Sequence, residues 1–85
     1  MIVSPDEMNR NVQTMIVAPL TTNFRNIPSR VTIEASAANG LSETSYAALD
    51  LVKTIDKARC KKKIGVISDA DAMKVADLLV EIFRY

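Results

Sequence analysis

The chain has 85 residues, 48% of them hydrophobic, and 11 basic against 10 acidic side chains give a net charge of +1. This length predicts a single small domain over residues 1–85, and the balanced charge neither indicates nor excludes a nucleic-acid partner. One Cys and no His exclude an internal disulfide and argue against zinc, and no apolar run could span a membrane, so we expect a soluble cytoplasmic domain without metal or cofactor.

The first third of the chain shows strand and turn patterns. Residues 2–3 are apolar and stop at the turn-type residues 4–6, so they resemble the end of a strand. Residues 12–20 are rich in β-forming side chains, and Pro19 among them suits a strand end or a bulge. The polar residues and proline of 22–29 predict a loop.

The middle of the chain predicts further strands. Residues 30–34 alternate polar and apolar side chains at period two, which is typical of a half-buried strand. Residues 39–40, Asn-Gly, indicate a turn. Periodicity alone does not decide between helix and strand for residues 46–55. Residues 64–67 predict a short strand after a basic connector at 58–63.

A helix is predicted to begin at Ser68. Its side chain can accept a hydrogen bond from the amide of Asp71, and acidic residues favour the positive end of the helix dipole. The apolar positions that follow cover more than half of the helix circumference. This breadth is typical of a helix packed on all sides in a core, and equally of one that also forms a subunit interface. These positions are Met73, Val75, Ala76, Leu78, Leu79, Val80, Ile82 and Phe83.

Three segments carry a more specific signal. They are residues 17–22 (VAPLTT), residues 50–57 (DLVKTIDK) and residues 63–69 (KIGVISD). Together they resemble the MazF/PemK (Kid-like) family of toxins from type II toxin–antitoxin systems. The resemblance implies a mainly β fold with a C-terminal α-helix, a small SH3-like barrel of the MazF/PemK/CcdB type. It also favours a strand that includes residues 49–55.

The resemblance also bears on the start of the chain. Family members carry an upstream strand hairpin, and an Arg-Pro pair directly before the segment that matches residues 2–5. We therefore expect an N-terminally truncated barrel that lacks its first hairpin. Whether that absence is natural stays open.

The resemblance implies a metal-independent endoribonuclease, an mRNA interferase that cuts single-stranded RNA through attack by the RNA's own 2′-hydroxyl. Such a reaction needs donors aimed at the phosphate oxygens that gain charge, together with an acid and a base. By resemblance Thr21 is the catalytic hydroxyl, with Thr22 and Asn23 beside it in the RNA groove. A strand-end threonine that caps the following turn is the other interpretation of Thr21.

Further RNA contacts are predicted around this position. By resemblance Asp50 is an acidic residue of the groove, although a solvated strand acid fits it equally well. Lys53 is a candidate phosphate ligand. Arg25 and Arg30 flank the loop after Thr22, and Arg25 is the better candidate because Arg30 begins a strand.

Two aromatic residues have two interpretations each. Phe24 and Tyr46 could stack on unpaired bases, or they could pack in the core or at its rim.

The one basic cluster is also open to two interpretations. It is either a solvated loop or an electrostatic contact with RNA backbone or with an acidic antitoxin tail. Its members are Lys57, Arg59, Lys61, Lys62 and Lys63.

The resemblance implies two protein partners. One is a cognate antitoxin whose disordered C-terminal segment becomes ordered on binding, and the other is a second copy in a two-fold homodimer. The dimer or antitoxin interface is predicted to include Lys61 and Lys62, together with Leu79, Ile82 and Phe83.

Two alternatives to an active nuclease remain. The chain could be a catalytically impaired toxin remnant that only dimerises and binds antitoxin. It could also be a β-barrel binding module unrelated to RNA, which fits the composition but not the three segments together.

Overall fold

The computed structural model describes residues 1–60 and 63–84, with Asn11 described in its backbone alone. The predictions for Lys61 and Lys62 therefore lie outside the described residues. In chain order the elements are α1 (Asp6–Asn11), β1 (Thr14–Val17), β2 (Leu20–Thr21), β3 (Arg30–Ile33), β4 (Ser45–Ala48), a 3-10 turn (Leu49–Leu51), β5 (Lys53–Asp56), a second 3-10 turn (Lys57–Arg59) and α2 (Asp69–Ile82).

The strands form two antiparallel sheets. One sheet has the order β2-β4-β3 and the other pairs β1 with β5. Several antiparallel strands and a C-terminal helix were predicted and are present, but within the described residues the sheets do not close into the expected barrel. A physical reason lies at Leu49–Leu51, where the chain leaves β4 in a 3-10 turn before it enters β5 in the other sheet.

The first residues of the chain lie along β1. Ile2 forms a bridge with Val17, and the amide of Val3 donates to the carbonyl of Ile16 at 2.8 Å. The prediction of a strand end at residues 2–3 is consistent with this pairing. Pro19 lies in the break between β1 and β2, where a residue without an amide hydrogen is tolerated.

The core lies between the three-stranded sheet and α2. In β3, Val31 and Ile33 are buried while Thr32 is exposed, so the predicted alternation of that strand is confirmed. The buried cluster consists of Ala18, Val31, Ile33, Ala47, Leu49 and Val75.

Two predicted elements differ in the structure. The turn-type residues 4–6 lead into α1, because Pro5 has a suitable extended conformation before the first helical turn and Asp6 and Glu7 favour its positive end. The strand predicted over residues 49–55 is interrupted, since the side chain of Leu49 turns into the core in the 3-10 turn.

The segment predicted as a strand at residues 64–67 is not part of a strand ladder. It crosses the turn at residues 37–40, where the amide of Val66 donates to the carbonyl of Ala38 at 2.7 Å. The predicted Asn-Gly turn is confirmed, with φ of +71° at Gly40. A Cβ on Gly40 would overlap the carbonyl of Ile64, and one on Gly65 would overlap the backbone of residues 38–39. Both glycines therefore permit a close backbone crossing.

Helix α2 begins as predicted. The side chain of Ser68 accepts from the amide of Asp71 at 3.1 Å. Val75 is buried, and Leu78 and Leu79 pack against the core cluster. The opposite side is solvent-facing, so α2 is not packed on all sides. We call this side the exposed helix stripe, which consists of Met73, Ala76, Val80 and Phe83.

Candidate functional site

The solvent-facing side of the three-stranded sheet brings several predicted site residues together. Thr21, Tyr46 and Thr32 lie opposite one another on β2, β4 and β3. Directly opposed residues in antiparallel strands project to the same face, and residues two apart along a strand do so as well. Arg30, two residues before Thr32, therefore shares this side. We call this side the outer face, formed by Thr21, Tyr46, Thr32 and Arg30.

Thr21 is fixed at the end of β2. Its hydroxyl oxygen accepts a hydrogen bond from the amide of Asn23 at 3.1 Å, as the turn-capping interpretation expects. A hydroxyl has one hydrogen to donate besides its acceptor positions. Within the described part of the chain, the Thr21 hydroxyl donates to no acceptor. Turn capping and donation to a ligand are therefore compatible in this residue.

An ion pair lies at the edge of the outer face. The guanidinium of Arg30 donates from Nε to Oδ1 of Asp50 at 2.9 Å and from Nη2 to Oδ2 at 3.4 Å. The side chain of Arg30 is only 12% exposed, against 34% for Asp50. The hydrogen bond from Arg30 is the main cause that lowers the pKa of the Asp50 carboxyl, with further help from the backbone amide of Asp50 and from Ser29.

This pairing limits what each group can do. Asp50, kept ionised by its partner, is a weak base, so its clearest contribution is to hold Arg30 in place. A guanidinium has five N–H donors, of which Asp50 uses two. The remaining three can serve an anionic ligand such as a phosphate.

The two arginines that flank the loop after Thr22 lie in different surroundings. The sequence favours Arg25 as the phosphate ligand, because Arg30 begins a strand. The structure places Arg25 in the exposed loop with Thr22 and Asn23, and Arg30 on the outer face beside Asp50. The sequence already indicates this position of Arg30, because the alternation of residues 30–34 assigns it to the polar side of its strand.

An aromatic pair completes the outer face. Phe24 and Tyr46 meet edge to face, with ring centroids 5.5 Å apart and an interplanar angle of 70°. Phe24 is 68% exposed and Tyr46 is half-buried, so neither ring belongs to the core cluster. The core interpretation is therefore wrong for both rings, whereas packing at the rim agrees with the half-buried Tyr46 and its contact with Phe24.

Lys53 lies in a different place. It lines an apolar groove of about 840 Å³, whose other lining residues include Ile2, Leu20, Lys63, Ile64 and Val66. Leu20 lines this groove while the next residue, Thr21, belongs to the outer face, so β2 separates the two surfaces. Lys53 and Lys63 are both exposed and carry positive charge at the groove.

The predicted interface residues of α2 differ in exposure. Leu79 packs against the core cluster, whereas Ile82 and Phe83 are exposed. No helix in residues 1–60 or 63–84 is long and apolar enough to cross a membrane.

Comparisons with known proteins agree on one family. The profile of a family described as PemK-like, MazF-like toxin of type II toxin–antitoxin system matches residues 1–83. The endoribonuclease MazF of Staphylococcus saprophyticus is 36% identical over 76 residues, which cover 87% of this chain. The chain spans 62% of the length of that relative.

Solved structures have the same fold. The Mycobacterium tuberculosis toxin MazF-mt6 superposes with a TM-score of 0.85 at 24% identity, over 98% of this chain and 82% of that one, a likeness of fold alone. A mycobacterial endoribonuclease in complex with its cognate antitoxin gives a TM-score of 0.82 at 27% identity, over 95% of this chain and 75% of that one.

Proposed function

This chain belongs to the PemK-like, MazF-like toxins of type II toxin–antitoxin systems, and from that premise we propose that it is an endoribonuclease acting on single-stranded RNA. The observation that supports this most is the outer face. It holds a hydroxyl with a free hydrogen, Thr21, on the same side of the sheet as a guanidinium with free donors, Arg30.

The proposed reaction is a transesterification within the RNA. The 2′-hydroxyl oxygen of one ribose attacks the adjacent phosphorus, and the bond to the 5′-oxygen of the next nucleotide breaks. The products are a 2′,3′-cyclic phosphate and a free 5′-hydroxyl, so the proton lost by the attacking hydroxyl is balanced by the one that the leaving oxygen gains. The protein has to orient the strand for in-line attack and stabilise the charge on the phosphate oxygens.

Thr21 and Arg30 receive these roles. The Thr21 hydroxyl donates to a non-bridging phosphate oxygen, because its own oxygen is already anchored by the amide of Asn23. Arg30 stabilises the developing charge with the donors that Asp50 leaves free. Asp50 holds the guanidinium of Arg30 in this orientation. The exposed Thr22, Asn23 and Arg25 lie next to Thr21 along the chain and contact the neighbouring nucleotides.

We assign Lys53 to the apolar groove and to a protein partner. The family places an antitoxin with each toxin, and the mycobacterial structural relative is seen with one. An acidic segment with spaced apolar side chains fits the groove, because Lys53 and Lys63 would meet its carboxylates and Ile64 and Val66 its apolar side chains.

We further propose a two-fold homodimer through the exposed helix stripe. Four apolar positions spaced at three and four residues form a continuous ridge on one side of α2. A stripe of this spacing is complementary to a second copy of itself.

Product analysis tests the proposed reaction. Labelled single-stranded RNA is incubated with the protein in the presence of a chelator, and the product ends are identified. We expect cyclic phosphate and 5′-hydroxyl ends, and no cleavage of a matched strand made of 2′-deoxynucleotides. Products with 5′-phosphate ends would contradict 2′-hydroxyl attack. Absence of cleavage by a protein that dimerises and binds antitoxin would favour the impaired-remnant alternative.

A further inference from the structure

The aromatic pair of Phe24 and Tyr46 has no structural task that accounts for its exposure. Phe24 is 68% exposed, and neither ring is among the residues of the core cluster or those packed against it. The planes of the two rings meet at 70°, so the contact is edge to face. With so much of Phe24 accessible, at least one face of its ring is open to solvent.

The position of the pair relative to Thr21 is defined by the backbone. Tyr46 is the direct neighbour of Thr21 across the β2-β4 ladder. The hydrogen bond from the amide of Asn23 to the Thr21 hydroxyl fixes the turn that leads to Phe24, three residues beyond Thr21. One turn therefore positions both the hydroxyl and the exposed aromatic ring.

The surroundings of the pair suit a nucleotide better than an apolar partner. Tyr46 is flanked on the sheet by two threonines, Thr21 and Thr32, and Arg30 follows on the same face. An aromatic ring on a solvent-facing strand, bordered by hydroxyl and cationic groups, is the arrangement by which sheet surfaces stack unpaired bases and hold their phosphates.

We propose that Phe24 and Tyr46 form a stacking subsite for one unpaired nucleobase, next to the phosphate that contacts Thr21. The inference rests on the proposed function for its ligand, single-stranded RNA, but not on cleavage. Stacking requires only the π-face of a base, so this subsite holds any of the four bases. Its contribution is to fix the position of the strand on the outer face, which makes Phe24 and Tyr46 positioning residues.

A tryptophan at position 24 tests the subsite directly. The chain contains no Trp, so Phe24→Trp introduces a single indole whose fluorescence reports stacking. The probes are three decamers: 2′-O-methyl uridine, 2′-O-methyl adenosine, and an abasic strand of 2′-O-methyl ribose phosphate. None of the three can be cleaved through 2′-hydroxyl attack, so the readout is independent of catalysis. We expect both base-bearing decamers to quench the indole and the abasic decamer to leave it unquenched.

Substitution in the natural background gives the second readout. Phe24→Leu and Tyr46→Leu keep an apolar side chain but remove the π-face, and each should weaken binding of the adenosine decamer roughly tenfold to a hundredfold. Tyr46→Phe, which retains the ring, is the matched control and should bind as the unsubstituted protein does. Circular dichroism verifies that each variant is folded.

The outcomes separate this inference from the proposed nuclease activity. Indole quenching by base-bearing decamers in a protein that cleaves no RNA would support the subsite and count against the nuclease. Cleavage of RNA with equal quenching by abasic and base-bearing strands, or with unchanged affinity in Phe24→Leu and Tyr46→Leu, would overturn the subsite alone. Failure to bind any decamer would also overturn it, and would leave the pair as a candidate protein contact.

Discussion

Arg30 and Asp50, twenty residues apart in the chain, are joined by two hydrogen bonds, Nε to Oδ1 at 2.9 Å and Nη2 to Oδ2 at 3.4 Å. The pair connects the first residue of β3 to the 3-10 turn that follows β4. It also leaves three guanidinium donors for a ligand. This ion pair therefore has two roles that can be measured separately. It connects β3 to the 3-10 turn, and it orients a guanidinium of the candidate site.

The first prediction concerns the pH dependence of stability. Because the pKa of Asp50 is lowered in the folded state, its pair stabilises the fold above the unfolded-state pKa of about 4 and ceases to do so as the pH falls through the lower folded-state pKa. Asp50→Asn lacks the titrating carboxylate, so its free energy of unfolding should fall less below about pH 4 than that of the unsubstituted protein. Urea unfolding, repeated about every pH unit between pH 2 and pH 6, measures this free energy.

The control is Asp77→Asn on the exposed side of α2, where no ion pair is formed within the described residues. Like Asp50→Asn, this variant removes one carboxylate charge, but it breaks no ion pair of the described residues. An identical acid response in the unsubstituted protein and in Asp50→Asn would show that the ion pair does not contribute to folding.

The second prediction concerns the backbone crossing of residues 37–40 and 64–66. Gly65→Ala places a Cβ against the carbonyl of Ala38, and Gly40→Ala adds the strain of a positive φ. Each should lower the free energy of unfolding by more than about 1 kcal/mol. Thermal unfolding measures the effect, with Ala38→Ser, an exposed neighbour on the same turn, as control. Unchanged stability of Gly65→Ala would mean that the two segments do not cross so closely.

How far the sequence predicts this molecule depends on whether the decisive contact is local. The capping of α2 by Ser68, the alternation of β3 and the turn at Asn39-Gly40 depend on neighbours a few residues apart, and all three were predicted. The interruption of residues 49–55 was not, because the burial of Leu49 depends on α2 and β3, which are distant in the sequence.

The candidate site shows the same difference between local patterns and long-range contacts. Family resemblance predicted Thr21 and Asp50 as site residues, since each lies in a recognisable segment. The partner of Asp50 was missed because the ion pair spans twenty residues and is formed only when β3 and β4 align Arg30 with Ala48. The separation of Lys53 from Thr21 likewise follows from the path of the chain between two sheets, which local pattern does not encode.

The third prediction concerns assembly. Val80→Glu introduces a charge in the middle of the exposed helix stripe and should convert a dimer into a monomer, because a carboxylate in an apolar interface is strongly disfavoured. Ala70→Glu adds the same charge to α2 outside the stripe and should leave the dimer intact. Sedimentation at micromolar concentration distinguishes the two states. A monomeric unsubstituted protein, or a dimeric Val80→Glu, would refute the interface.

The fourth prediction concerns the antitoxin. The double variant Lys53→Glu and Lys63→Glu should weaken binding of an acidic peptide with spaced apolar residues, the proposed antitoxin segment, by on the order of tenfold or more. The unsubstituted complex should also weaken with added salt. Lys74→Glu, exposed on α2, is the control. Calorimetric titration measures the affinities. Equal affinity of the double variant and the control would place the peptide elsewhere.

The final prediction addresses catalysis at Thr21. Removing one preorganised donor to the phosphate typically costs on the order of a hundredfold to a thousandfold in kcat. Thr21→Ala should show such a loss, whereas Thr21→Ser, which keeps the hydroxyl, should retain most of the activity. Both variants should keep the circular dichroism of the unsubstituted protein, because Thr21 is the last residue of a two-residue strand.

The rate at which Thr21→Ala cleaves single-stranded RNA, beside Thr21→Ser and the unsubstituted protein, is the most direct test of the outer face as the nuclease site. We predict cleavage by the unsubstituted protein and by Thr21→Ser, with Thr21→Ala slower by about a hundredfold or more. Cleavage by Thr21→Ala at the rate of the unsubstituted protein would contradict the assignment, and so would the absence of cleavage by all three proteins.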